Sequence, residues 1–406
     1  MKHALIGCAS LAALGAWADL SVTSSLDGTT LAYTVSFSVS SATDRPVYLA
    51  WGETDGGTDW AKWEESQKVG TLAANATSMT FTLPARIKGA CPMRVFLFSG
   101  TDGANVWLDA IRANSDQYLN TGIRPDSKTA CFADYKMNDN GVQQRIFGMD
   151  GTIFFQTYIN GSKQWAYTYR DGAGDWQGLR VNVTTTDRVQ YLVDGYNNFL
   201  RLQYGGVDKK AVIGLSGTRT KEGTNPVGVF THLSGSGGTR YTNAENPHNS
   251  YTYADLYGFY MKKSGALVCN LKPCRKDGVA CAYDGIQQKY LMSGTANAFY
   301  GVDPIGEVVD SGVEGDTVVF QGVGADPLAA DKVTGAYNVR LDGGIVQMNT
   351  ANAYTGFTWL TRGTLWMDEI IDDTLGALGA KGPLVLGPGT LSCNGGKGVY
   401  NGDVTT

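Results

Sequence analysis

The feature that most restricts the fold is a long series of short alternating segments, each closed by a tight-turn dipeptide. Alternation of apolar and polar residues indicates strands, and Asn-Gly or Asp-Gly suits two-residue hairpin turns. Composition agrees, since the chain has 53 Gly, 21 Tyr and only 17% charged residues. The sequence therefore predicts an all-β protein. The turn dipeptides of the middle region are Asn140-Gly141, Asp150-Gly151, Asn160-Gly161, Asp171-Gly172, Asp194-Gly195, Ser264-Gly265 and Asp277-Gly278.

The N-terminus predicts export. A short basic start is followed by the uncharged apolar run 4–15, and Ala16-Trp17-Ala18 places small residues where a signal peptidase reads. We predict that residues 1–18 are cleaved and that the mature protein begins at Asp19. A lipoprotein-type site at Cys8 is the alternative, but almost no hydrophobic segment precedes it. No later segment is apolar for long enough to be a transmembrane helix, so no membrane span is expected.

Charge and cysteine content restrict the partners and the compartment. A net charge of −5 with no basic cluster argues against a nucleic-acid partner. Cys269, Cys274 and Cys281 lie within thirteen residues, and an exported chain permits disulfides. We predict that at least one of the three pairs with another. No C-x-x-C or nearby His suggests zinc, so no metal site is expected.

Residues 19–100 have the pattern of a small immunoglobulin-like sandwich. The predicted strands are 31–39, 47–51, 78–83 and 93–98, with a short helix over 59–64 capped by Asp59. Asp55 and Asp59 around Gly56-Gly57 lack the further oxygen ligands of a calcium loop, so a polar turn and helix cap is the preferred interpretation. Calcium stays an open alternative. Residues 101–116 are predicted to be a linker.

Residues 117–303 form a second predicted sandwich, of antiparallel jelly-roll type. Its two ends carry motifs that occur in order: QYLNTGI at 117–123, DLYGFY at 255–260, GALV at 265–268, LKPCRKDGV at 271–279 and YD at 283–284. These motifs resemble the opening and closing segments of bacterial concanavalin A-like lectin/glucanase domains, which are related to laminin-G modules. The resemblance implies a two-sheet sandwich with a concave face, and carbohydrate or adhesive binding rather than catalysis.

Residues 304–406 differ again in composition, with short apolar bursts separated by Gly and Asn. The segments NAYTGFT at 352–358, GTL at 363–365, LGALG at 375–379 and LVLGPGTL at 384–391 resemble the passenger repeats of autotransporters, over about residues 335–395. The resemblance implies the start of a parallel β-helix. A solenoid normally needs about three rungs and a cap, and about one or two repeats are present. Either the chain is a fragment or this segment packs on the sandwich.

Aromatic residues are the candidate ligand-binding groups, because exposed rings stack on the apolar faces of sugars. Trp165, Tyr167 and Tyr169 share one side of a predicted strand, where packing in the core is preferred over a binding face. Trp176 lies in a Gly-rich loop, where its ring is as well suited to a ligand as to packing. Asp175 and Gln177 flank it and would hydrogen-bond sugar hydroxyls.

No pattern of a catalytic centre is present. His232 and His248 belong to or flank the polar loop 234–250, and we interpret them as solvated. A glycosidase of this fold would need acids at alternating positions on one strand, whereas the acidic run 368–373 has the wrong spacing and lies outside the sandwich.

The sequence therefore predicts a non-enzymatic, extracellular or cell-surface protein without a cofactor, which binds a glycan or a matrix glycoconjugate. Two alternatives stay open: a glycoside hydrolase, active or degenerate, and a purely architectural passenger segment. Nothing in the sequence indicates an oligomeric state.

Overall fold

The computed structural model describes residues 20–27, 30–53, 55–82, 92–138, 144–151, 154–159, 164–170, 177–183, 187–204, 207–213, 222–234, 239–240, 252–313, 317–320, 328–329, 334–335, 338–348, 352–367, 378, 383–393 and 404–405. Within these residues the fold is all-β, and the helical element is one 3₁₀ turn, Trp60–Lys62. No helix in this part of the chain is long and apolar enough to cross a membrane. The predicted signal segment lies outside the described residues.

The strands fall into three groups along the chain. The first group is β1 (Leu20–Asp27), β2 (Thr30–Ser36), β3 (Arg45–Trp51), β4 (Glu65–Leu72), β5 (Ser78–Phe81) and β6 (Met93–Phe98). The second is β7 (Val106–Ser115), β8 (Leu119–Asn120), β9 (Thr129–Met137), β10 (Arg145–Met149), β11 (Phe154–Ile159), β12 (Trp165–Arg170), β13 (Gln177–Val181), β14 (Arg188–Asp194), β15 (Phe199–Tyr204), β16 (Val207–Val212), β17 (Gly228–Val229), β18 (Leu233–Ser234), β19 (Thr239–Arg240), β20 (Thr252–Lys263), β21 (Ala266–Lys276), β22 (Val279–Asp284), β23 (Lys289–Leu291) and β24 (Tyr300–Gly306). The third is β25 (Val308–Val313), β26 (Thr317–Phe320), β27 (Leu328–Ala329), β28 (Thr334–Gly335), β29 (Asn338–Gln347), β30 (Ala353–Tyr354), β31 (Thr358–Met367), β32 (Leu384–Leu386), β33 (Thr390–Cys393) and β34 (Val404–Thr405).

The N-terminal sandwich is completed by a strand from much later in the chain. Its strand order is β4-β3-β6-β25-β1-β2-β5, with β25 antiparallel to β6 and parallel to β1. Strands from both ends of this order contribute side chains to one hydrophobic core, to which Tyr33, Trp51 and Val95 belong. Because β25 follows the entire central region, the central sandwich is inserted into the N-terminal one. The immunoglobulin-like arrangement itself stays a prediction.

Most of the segment assigned to a linker is a strand. Residues 106–115 form β7, which lies inside the ten-stranded sheet between β20 and β21. Its inward residues shift register, from Val106 and Leu108 to Ile111 and Ala113. Charged Asp109 and Arg112 occupy intervening positions. The shift and the two charges disguise the alternation by which a strand is recognised in a sequence.

The central sandwich consists of two sheets that share one core. One has the order β16-β15-β14-β9-β20-β7-β21-β22-β23, with β24 beside β7. The other has the order β13-β12-β11-β10-β17-β8, with β18 and β19 attached. Phe147 and Trp165 from the second sheet and Tyr135 and Tyr191 from the first belong to the same core cluster. The jelly-roll connectivity and the concave face stay predictions.

The N-terminal sandwich packs on the outer face of the ten-stranded sheet, the face turned away from the central core. Tyr48 and Phe96 share an apolar cluster with Trp107 of β7. Asn270 Nδ2 of β21 donates to the carbonyl oxygens of Ala61 (2.8 Å) and Trp63 (2.7 Å). These buried contacts combine apolar burial with satisfied hydrogen bonds, and so fix the N-terminal sandwich against this sheet.

The C-terminal strands pair differently from the rest. The described pairings among β26 to β34 are all parallel, in the main order β26-β29-β31-β32-β34. This sheet meets the N-terminal sandwich at Tyr33, whose hydroxyl donates to Asp342 Oδ2 at 3.3 Å and whose ring lies 5.6 Å from the Arg340 guanidinium carbon. The autotransporter-type β-helix stays a prediction.

Two of the three clustered cysteines face each other. Cys274 and Cys281 are direct partners on β21 and β22, and their buried Sγ atoms lie 3.4 Å apart as free thiols. Cys269 belongs instead to the core of the central sandwich. The predicted local disulfide is therefore expected between Cys274 and Cys281, since cross-strand neighbours meet the Cα separation that a disulfide requires.

With oxidised glutathione, the two thiols should lose two protons and two electrons and form the bridge, releasing two molecules of reduced glutathione. Trypsin cuts after Arg275 and Lys276, between the two cysteines, so the bridged form should give disulfide-linked peptides in a non-reducing digest. Recovery of Cys274 and Cys281 as free thiols after this treatment would contradict the prediction. Cys269 is the internal control and should stay reduced.

Candidate functional site

A row of charged side chains crosses the outer face of the ten-stranded sheet beside the N-terminal sandwich. We call it the charged row: Arg112 of β7, Asp255 and Tyr257 of β20, Asp134 of β9 and Arg188 of β14. These four strands are consecutive neighbours, so the row spans about 14 Å at the usual strand spacing. The alternate residues of the same strands lie in the central core, and strand periodicity therefore directs the row outward.

Two planar ion pairs hold the row in place. Arg112 Nε and Nη2 donate to Asp255 Oδ1 (2.6 Å) and Oδ2 (3.0 Å). Arg188 Nε and Nη2 donate in the same way to Asp134 Oδ1 (2.6 Å) and Oδ2 (2.8 Å). Paired donors of this kind fix both the position and the plane of each carboxylate. Neighbouring amides reinforce both pairs, with Asn138 donating to Asp255 (2.8 Å) and Gln190 to Asp134 (3.1 Å).

The carboxylates lie at the base of the row and the guanidinium groups at its surface. The side chains of Asp134 and Asp255 are 5% and 4% exposed, whereas those of Arg188 and Arg112 are 32% and 44% exposed. The Arg188 guanidinium carbon lies 3.8 Å from the centre of the Tyr257 ring, a cation–π contact. The exposed groups are therefore held rigidly before any ligand arrives.

The pKa values of Arg188 and Tyr257 depend on two opposing effects, burial of the side chain and the charges of its neighbours. Burial opposes the charged form of Arg188, but Asp134 and Asp109 outweigh it and raise the Arg188 pKa. Burial raises the pKa of Tyr257 to about 12, although Arg188 opposes the rise. The guanidinium groups and the Tyr257 hydroxyl are thus hydrogen-bond donors throughout the neutral range.

This arrangement suits recognition of a polyhydroxylated ligand. Fixed N–H donors and a phenol lie along one surface above the two carboxylates, and a sugar ring presents hydroxyls that both donate and accept. Among the described residues, no three His, Cys, Asp or Glu side chains are grouped so as to hold a metal ion. Asp55 and Asp59 instead accept backbone N–H groups, from Gly57 (2.8 Å) and Ala61 (3.0 Å), as the turn-and-cap interpretation expects.

Two of the aromatic candidates point into the core. Trp165 is 1% exposed and stacks on Tyr135, with ring centroids 5.1 Å apart. Tyr169 is also buried, and its hydroxyl donates to the carbonyl oxygen of Ser127 at 3.0 Å. Neither ring can reach a ligand from this position. The structure therefore gives both residues the packing role preferred from the sequence.

The other candidates are only partly described. Trp176 and Asp175 lie outside the described residues, and so does the side chain of Tyr167. Gln177 begins β13, is half-buried and pairs with Tyr169 on β12. A binding role for this loop stays a prediction.

The interpretation of His232 as a solvated loop residue is wrong. His232 is 3% exposed and lies between β17 and β18, next to the buried Thr231 and Leu233. Phe230 adopts a positive φ of 66°, and the resulting sharp turn directs the segment inward. Burial, with a contribution from Arg145, lowers the pKa of His232 to about 3. His248 lies outside the described residues.

The charged row was missed in the sequence, although a local signal existed. Asp134, Arg188 and Asp255 each alternate with apolar residues along the sequence, a pattern that indicates an outward position on a strand. What the sequence does not show is that three separate outward positions meet in one row, because strand order and register are non-local properties.

No family model matches the chain, and no curated protein matches it either. Among solved structures, it is similar to the native heptameric SAP-like pentraxin from Limulus polyphemus (11% identity, TM-score 0.25, covering 67% of this chain and 96% of that one). It is also similar to domains LG4-5 of the mouse laminin α1 chain (9% identity, TM-score 0.27, 71% and 91%). A third similarity is to the full extracellular region of zebrafish Gpr126/Adgrg6 (7% identity, TM-score 0.25, 70% and 41%).

Proposed function

We propose that the protein is an exported, non-enzymatic glycan-binding protein and that the charged row is its binding surface. The observation that carries the proposal is that the Arg188 side chain is held in a fixed position and is also exposed to solvent. It is bound at two points by Asp134 and stacked on Tyr257, yet a third of its side chain is exposed. A charged group held this firmly but open to solvent is pre-organised to meet a ligand.

The balance of charge supports an oligosaccharide as the ligand. In the row, two guanidinium groups are matched by two carboxylates, so no large excess charge selects a strongly charged ligand. Charge-assisted hydrogen bonds to hydroxyls are stronger than neutral ones and depend on geometry, which favours recognition of a particular sugar stereochemistry. The resemblance of the central motifs to concanavalin A-like lectin domains points to the same ligand class.

The hydrolase alternative is less well supported. General acid–base catalysis on a glycoside needs one carboxyl group to deliver a proton and another to act as base or nucleophile. Asp134 and Asp255 each accept hydrogen bonds from one arginine at both carboxylate oxygens, so these oxygens are already engaged. The two carboxylates are therefore better suited to holding the arginines in position than to transferring protons. The parallel C-terminal strands support a stalk-like role for residues 317–405, as the autotransporter-type repeats imply.

The test is a glycan array with the exported chain 19–406, with release of reducing sugar followed in parallel. Arg188→Lys should weaken binding of the best glycan about tenfold or more, because lysine keeps the charge beside Asp134 but loses the planar fork. Arg124→Lys, at an exposed arginine between β8 and β9, is the matched control and should leave the dissociation constant unchanged.

Three results would overturn the proposal. If Trp176→Ala abolishes binding while Arg188→Lys does not affect it, the binding site belongs to the loop before β13. If no glycan binds to the folded wild-type chain, the architectural role is favoured. Release of reducing sugar would establish the hydrolase alternative instead.

A further inference from the structure

We propose that the glycan site is shared by the two sandwiches, with Asp109 as an additional ligand-binding group and Tyr48 of the N-terminal sandwich as its positioning residue. This inference rests on the proposed function of the charged row. It makes the N-terminal sandwich a part of the site rather than a separate module that precedes it.

The direct contact is a hydrogen bond across the interface between the sandwiches. The Tyr48 hydroxyl, on β3, donates to Asp109 Oδ1, on β7, at 2.8 Å. Asp109 is half-buried and lies three positions before Arg112 on the same strand. One carboxylate oxygen is thus held by the neighbouring sandwich, and the other, Oδ2, is the atom that would accept a hydrogen bond from a ligand hydroxyl.

The charges around Asp109 connect it to the row. Arg188 on β14, Asp134 on β9 and Asp303 on β24 face it, in addition to Tyr48. Burial and the two other carboxylates raise the pKa of Asp109, whereas Arg188 and the Tyr48 hydroxyl lower it. The hydroxyl therefore helps to keep Asp109 in the ionised form that accepts hydrogen bonds.

A residue without a side chain lies on the row next to β7. Gly258 of β20 pairs with Asp134 and therefore lies on the row between β9 and β7. A Cβ atom added there would approach only the carbonyl oxygen of Leu271, at 4.0 Å. Gly258 is itself buried, and the absence of a side chain leaves room above the backbone at this position, as glycine does where another group approaches the backbone closely.

The hydroxyl of Tyr48 is fixed by the packing of the N-terminal sandwich. Its ring makes edge contacts with Trp60 (centroids 5.7 Å apart) and Phe98 (5.4 Å). Polar contacts from β20 and β21 hold the same interface, with Lys262 Nζ 2.9 Å from Glu64 Oε2 and Lys272 Nζ donating to Ser66 Oγ at 3.0 Å. A residue supported in this way positions its partner with little freedom.

The inference predicts a change in both ionisation and binding when the hydroxyl is removed. Tyr48→Phe should raise the titration midpoint of Asp109, since a donor to the ionised form is lost. Glycan binding should then weaken at least threefold at pH 5 relative to pH 8, compared with the wild-type chain. The carbon-13 signal of the Asp109 carboxyl in aspartate-labelled protein, assigned with Asp109→Asn, reports the midpoint without any ligand.

The matched control is Tyr33→Phe, which removes a tyrosine–aspartate hydrogen bond at the other interface of the N-terminal sandwich. It should leave both the Asp109 midpoint and the pH profile of binding unchanged. Binding is measured with the strongest binder from a printed panel of neutral and acidic oligosaccharides.

The two proposals fail in different ways. An unchanged Asp109 midpoint in Tyr48→Phe overturns the positioning role even if the wild-type chain binds glycans. A shifted midpoint without any change in the pH profile of glycan binding overturns the placement of Asp109 in the site. Absence of glycan binding by the wild-type chain overturns the charged row and the shared site together.

Discussion

Replacing Trp165 by alanine is expected to lower the free energy of unfolding of the central sandwich by about 3–5 kcal/mol. The indole is 1% exposed and stacks against Tyr135 (5.1 Å) and Tyr191 (6.0 Å), which belong to the opposite sheet. Truncation would remove these aromatic contacts and leave a cavity between the two sheets. Denaturant unfolding monitored by tryptophan fluorescence and circular dichroism measures the effect.

The matched variant is Trp176→Ala, in the loop before β13, where the sequence predicts a surface position. Its expected effect is about half a kcal/mol or less. If Trp176→Ala unfolds the domain while Trp165→Ala stays stable and loses glycan binding, the two tryptophans have been assigned the wrong roles. Equal and large losses in both variants would place both rings in the core.

The prediction from sequence was most accurate where the evidence is local. The strand at 93–98 was predicted with the bounds that the structure has, because its apolar run ends in turn residues. The capping role of Asp59 was also predicted, since capping needs only a side-chain oxygen two or three positions before a backbone N–H. Each of these depends on a few consecutive residues.

The misplaced parts all depend on contacts between distant segments. The partner strand of β6 and β1 is β25, which follows about two hundred residues of inserted sandwich. No local pattern at 308–313 identifies those partners. Lys272 illustrates the same limit: within LKPCRKDG it has the character of a surface lysine, but the N-terminal sandwich covers it, and burial lowers its pKa to about 7.

The candidate site shows why function was harder to predict than fold. The sequence directed attention to aromatic rings, because rings recognise sugars in any fold, and two of those rings are core residues. The charged row instead uses Asp and Arg at outward positions of ordinary strands. Its significance depends on pairing between strands and on the covering sandwich that brings Tyr48 to Asp109. These features arise only once the chain has folded.

His232 should make the folded state sensitive to acid. Its ordinary pKa of 6.5 falls to about 3 in the fold because burial excludes the charged imidazolium. Between these values the unfolded chain binds a proton that the folded chain does not, so stability rises with pH across the window. The contribution of the neutral His232 ring to the free energy of unfolding is fully present above pH 6.5 and is lost as the pH falls toward 3. At about 1.4 kcal/mol per pH unit, the loss approaches about 5 kcal/mol.

Two measurements check this effect. The predicted mature chain has only two histidines, so its imidazole NMR signals are readily assigned with His232→Gln and His248→Gln. The His232 signals should stay those of the neutral ring down to at least pH 4. In denaturant unfolding, His232→Gln should lose less stability than the wild-type chain between pH 7 and pH 4, whereas His248→Gln should follow the wild type. A His232 signal that titrates near 6.5, or equal acid losses in His232→Gln and the wild type, would show that the imidazole is solvated after all.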